Sequence, residues 1–211
     1  MVVMVCLVFT ASAGAAGFPS FGKSSSQPAG DPDAYLVKAK TTEALVNKSA
    51  ELLFGLVASK EEQAKVEELQ KTLAAISDPK ERNAKIQEKM DSLLAGIRKA
   101  AGDKKLEAEA KDWDTKKKTQ GAAALFNLAL GAMLAKDLVP EGQNIAKSMQ
   151  SNPMMLTKAA TILESVKTLG GIVSGTGQVI TVLPPVFMAA KIDAPMPKTT
   201  AEKPKDTGDI P

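Results

Sequence analysis

The sequence predicts an all-α fold, and three observations carry that expectation. Aromatic residues make up only 4% of the 211-residue chain while Ala, Leu, Lys and Glu are abundant, a composition that favours helix over sheet. Apolar residues recur three and four positions apart in several segments, as at Val66, Leu69, Leu73 and Ile76, which is the period of a helix face. Helix start signals stand between those segments, among them Ser59-Lys60-Glu61-Glu62, Asp78-Pro79 and Asn152-Pro153. The length suits one helical-bundle domain at 33–192, with residues left over for a leader and a tail.

Taken in order, the chain opens on an uninterrupted apolar run from Val2 to Thr10, followed by the small residues Ala11-Ser12-Ala13-Gly14-Ala15-Ala16. This is the apolar and cleavage region of a secretory signal peptide over 1–16, and it predicts an exported chain, periplasmic or secreted. No basic residue precedes the run, the first being Lys23, so the basic segment of such a leader is missing. A lipid-attachment reading of Val3-Met4-Val5-Cys6 fails because Val stands before the cysteine and the apolar run continues past it. Residues 17–32, rich in Gly, Ser and Pro, read as a flexible linker.

Leu45, Leu52, Leu53, Leu56 and Val57 mark a first amphipathic helix over about 33–58. Ser59 and Glu62 form a capping box that starts the next helix, each side chain satisfying the other residue's free amide. Behind it the narrow stripe Val66, Leu69, Leu73, Ile76 has the character of a coiled-coil seam. Asp78 and Pro79 stop that helix and start another, whose stripe Ile86, Met90, Leu93, Ile97 continues to Gly102. The short link predicts that the two pack as a long antiparallel coiled-coil-like hairpin. A longer helical pattern is expected from Asp103 through Leu106, Trp113 and GAAALFNLALGAMLA to a stop before Pro140. After Asn152-Pro153 a further helix is expected to bury Leu156, Ala160, Leu163 and Val166, with a break or close packing at Gly170-Gly171. From Asp193 the composition is that of a disordered tail, 193–211.

The chain has no histidine and its one cysteine, Cys6, lies in the leader. Ser-His-Asp and Cys-His nucleophilic sites, His or Cys metal sites and disulfides of the processed chain are therefore excluded together. Carboxylate or lysine chemistry survives, but nearly every Asp and Glu lies in a Lys-rich helical stretch with nothing to separate the pKa values of a pair. The expectation is a protein that is not an enzyme and takes no cofactor. The net charge of +3 comes from 27 basic and 24 acidic side chains, a mixed solvated surface that does not favour nucleic acid.

What remains is interaction. Residues 119–135 and 168–190 carry no charge, which suits either the centre of a bundle or contact with a membrane. The candidate surface residues are Lys116, Lys117 and Lys118, the apolar Leu125, Phe126 and Leu128, and the G-x-x-x-G pair Gly171 and Gly175. A protein partner or self-association is the leading expectation, and a membrane or lipid surface the second.

Overall fold

The computed structural model describes residues 30–150, 152–194 and 196–208. The expected signal peptide and almost all of the expected linker lie outside the described residues. Among the described residues the elements are all helical: α1 (Pro32–Val57), α2 (Lys60–Ala75), α3 (Pro79–Ala101), α4 (Lys104–Ala110), α5 (Thr115–Met149), a single 3-10 turn (Pro153–Met155), α6 (Leu156–Val182) and α7 (Pro184–Ala189).

Short polar side chains fix where the helices begin. Asp31, Ser59, Asp78, Asp103 and Asp114 each accept a hydrogen bond from a first-turn amide of α1 to α5 respectively, and these amides have no partner within their own helix. The Ser59–Glu62 box closes in both directions, at 3.3 and 3.4 Å. Asn152 caps the 3-10 turn through the Met154 amide at 3.1 Å.

α5 is the axis of the molecule. It packs along α1 on one side and α6 on another, while α3 lies against α1 and α6. These four helices enclose one continuous core in which Tyr35, Leu53, Leu93, Ile97, Leu128, Ile145, Ile162 and Leu169 are fully buried. α2 has α3 as its only substantial helical neighbour, and Leu73 is its only buried residue. At one end α4 packs on α7, with the Trp113 ring edge-on to Phe187 at 6.5 Å between centroids. Several close approaches depend on glycine, two of them beside α6. A Cβ at Gly175 would come within 2.6 Å of the Leu94 side chain, and Gly142 leaves the space taken by the Tyr35 ring and Val166.

Four expectations are corrected. The long helix from Asp103 is two helices, because Asp114 caps the Lys117 amide at 2.7 Å and starts α5 afresh after a turn at 111–114. α5 does not stop before Pro140 but runs through it to Met149. Lys136, Asp137 and Pro140 lie on the solvent side, where water can satisfy the carbonyl that loses its donor, while Leu138, Gly142 and Ile145 keep the other side packed. The buried face of α6 is Ala159, Ile162, Val166, Leu169, Ile172, Thr176 and Val179. Leu156, Ala160 and Leu163, expected inside, are exposed; the helix is apolar on more than one side, so spacing alone fits either stripe. It also continues unbroken across Gly170-Gly171.

The fourth correction concerns the C-terminal segment, whose composition predicts disorder. Residues 196–208 form a strap on α5, tied by the Asn127 amide group to the main chain of Lys205. Its own Glu202 carboxylate accepts from the amides of Thr199, at 3.0 Å, and Lys198. The strap is held by main-chain contacts that its polar composition does not advertise.

Candidate interaction surface

The eight residues expected to form an interaction surface divide among five environments. Lys116, Lys117 and Lys118 occupy the first turn of α5 and face solvent or its margin. Cations there oppose the positive end of the helix dipole, and Asp114, the cap, is the acidic group that offsets them locally. Leu125 and Leu128 belong to the central core. Phe126 lies on a different side of α5, in a separate small cluster with Leu130 and Leu134, against which Leu45 packs. The Lys205 ammonium stands 4.4 Å from the Phe126 ring centroid, a cation–π contact with the strap. The glycines part company too: Gly175 is used up against Leu94, while a Cβ at Gly171 would meet nothing within 4 Å.

The outward side of α6 is a surface that spacing alone did not single out as a whole. Gly170, Gly171, Ser174, Gly177 and Thr181 follow one another along it, all exposed, and a Cβ at any of the three glycines would touch nothing within 4 Å among the described residues. Leu163 continues the strip toward the N-terminal end at 43% exposure. The charged side chains that α6 itself carries on that side, Glu164 and Lys167, lie near its start. The two uncharged stretches therefore have different surroundings. Both α5 and the run Pro153–Ala189 are long and apolar enough to cross a membrane by length and composition, but the most apolar window is 67% buried in α5 and 33% buried in the second run. Met154 and Met188, near the two ends of that run, are 93% and 76% exposed.

Two depressions on the described surface are small. One depression of about 120 Å³ between α1, α3 and α6 is lined by Glu43, Asn47, Met90, Asp91, Thr168 and Ile172 among others. Burial pushes the Glu43 carboxyl above its usual range, with Lys40 opposing the shift. A second, of about 270 Å³, is lined by Phe54, Gln63, Val66, Lys89 and Leu93 among others. Both fall below the roughly 300 to 1,000 Å³ of a typical small-molecule site. Among the described residues no group of three His, Cys, Asp or Glu side chains is placed to hold a metal ion.

Tyr35 and Asn127 are the buried polar groups of note. The Tyr35 hydroxyl is buried without a hydrogen-bond partner among the described residues, and its pKa is pushed up to about 12, first by burial and then by Glu141 and Glu43. Its place against Gly142, where α1 and α5 pack closely, accounts for it as a core residue. Asn127, by contrast, has a partner at both polar atoms of its amide group, which pairs with the N–H and the C=O of Lys205. The signal for it was present in the sequence, as the one amide side chain within GAAALFNLALGAMLA, but its partner lies 78 residues away. No protein-family model, curated protein or solved structure matches this chain.

Proposed function

We propose that the chain is a non-catalytic helical interaction protein, exported to the periplasm or secreted, that serves the cell envelope by presenting the outward side of α6 to a protein partner. The observation that carries this reading is the open strip at Gly170, Gly171, Ser174 and Gly177. Small residues allow another helix backbone to approach closely, and here, unlike at Gly175, a Cβ at Gly170, Gly171 or Gly177 would meet nothing within 4 Å among the described residues. In the same reading α2 and α3 form a coiled-coil-like antiparallel hairpin that projects as a second contact surface. Support comes from the pairing of Glu62, early in α2, with Lys99, late in α3, at 2.8 Å, and of Gln70 with Lys89.

A membrane or lipid surface is the second reading, favoured by the 33% burial of the most apolar 18 residues within the run Pro153–Ala189 and by the exposed methionines near its ends. It rests on 168–190 alone, since 119–135 lies within α5 and is mostly buried.

A photo-crosslinking side chain at Gly177, with Lys48 on α1 as the control position, tests both. A discrete protein adduct formed in cells at Gly177, absent at Lys48 and lost when Gly171→Leu is added, is the expected result. Adducts to lipid, with vesicle co-sedimentation abolished by Gly177→Lys, would favour the membrane reading instead. Equal labelling at both positions would overturn the assignment of α6.

A further inference from the structure

Asn127 lies in mid-α5 at 3% exposure, within an otherwise apolar stretch. Its Nδ2 donates to the Lys205 carbonyl at 2.8 Å, and the Lys205 amide donates to its Oδ1 at 2.7 Å. A side-chain amide offers a donor and an acceptor side by side, which matches the N–H and C=O of one extended residue. Pairing of that kind recognises main chain whatever the side chains are, as when a strand is added to a sheet edge. Side-chain selectivity is layered on it by Phe126, over which the Lys205 ammonium stands, and by the burial of Thr207 to 6% exposure. The arrangement is that of a peptide seat with its occupant attached.

We propose that the outer side of α5 at Asn127 is a seat for an extended peptide, filled in cis by residues 203–207 and open to exchange with the same segment of a second copy. The second copy is the occupant the geometry supports, because every group the seat recognises is present in it: an extended main chain at 205, a lysine for Phe126 and a threonine to bury. The tether decides which copy wins. The covalent connection from α7 holds the cis strap at an effective concentration of about 1 mM, so in dilute solution each chain closes on itself. Exchange in trans, the low-cost route to a dimer, becomes dominant when cis closure is lost or when chains are crowded to a comparable concentration. The seat is on α5, not α6, and stands independently of the docking surface proposed above.

Complementation between two full-length variants provides the test. Asn127→Leu removes the seat and keeps the strap; Lys205→Pro removes the strap's amide donor and keeps the seat. In the wild-type chain the Lys205 amide should exchange with solvent at least about tenfold more slowly than in Asn127→Leu; equal rates in the two folded chains would overturn the proposal. With isotope-labelled Lys205→Pro at about 1 mM, the Asn127 side-chain amide resonances should return toward their wild-type positions on addition of unlabelled Asn127→Leu. They should not move on addition of the double variant Asn127→Leu/Lys205→Pro. No movement in the first mixture, or the same movement in both, sinks the exchange. Should Asn127→Leu not fold, Asn127→Ser serves as the seat variant, with Thr207→Lys as a second strap variant.

Discussion

Tyr35 is the only tyrosine in the chain, so its ionisation is readable without assignment. Burial, assisted by Glu141 and Glu43, raises its folded pKa to about 12, against about 10 for an exposed phenol. Between those values the unfolded chain releases the phenolic proton while the folded chain keeps it, so the folded state binds more protons and stability falls as pH rises. The expected outcome is a tyrosinate absorbance titration centred near 12 in the native protein, near 10 in denaturant, and a decline in denaturation midpoint across that window which Tyr35→Phe flattens. A native titration near 10 would show the hydroxyl to be solvated.

At the scale of elements, the starts of α1 to α4 were legible because each is a local event. Asp31, Ser59, Asp78 and Asp103 act on amides two or three residues away, so adjacent sequence contains the needed information, whereas the start at Asp114 was masked by a helical pattern that reads as continuous across it. What was not legible depends on neighbours distant in the chain. Which stripe of α6 turns inward, whether α5 tolerates Pro140, and what Asn127 pairs with are each decided by packing against other elements. The candidate surface residues are not brought together, for the same reason, with Leu125 and Leu128 turned to the core and Phe126 toward the strap. The α2–α3 pair shows how element context sets energy. Leu93 lies in the main core at 1% exposure, whereas Leu73 is the single buried residue of α2. Leu93→Ala should therefore cost about 2 to 5 kcal/mol, and Leu73→Ala less, about 1 to 2 kcal/mol, both by chemical denaturation. The reverse ranking would mean that α2 carries more of the core than its contacts indicate.

For the molecule as a whole, α5 is the helix on which the rest is assembled. A charge at Leu128, fully buried in the central core, has no partner and no path to water, so Leu128→Lys should abolish cooperative folding in a circular-dichroism melt. Ile172→Lys, on the α6 side of the same core, should weaken the fold less, since a lysine stem there starts nearer the helix's exposed edge. Retained stability in both would return residues 119–135 to the surface. The lone tryptophan gives this architecture an optical handle. Trp113 packs edge-on to Phe187 just before α5 begins, whereas Tyr35 lies against Gly142 near the other end of that helix. The residues between those two contacts span roughly 40 Å of helix at about 1.5 Å each. Indole emission and tyrosine absorbance thus report from opposite poles of one rod: superimposable unfolding curves would mark a single cooperative unit, and separated ones a rod that melts from one end.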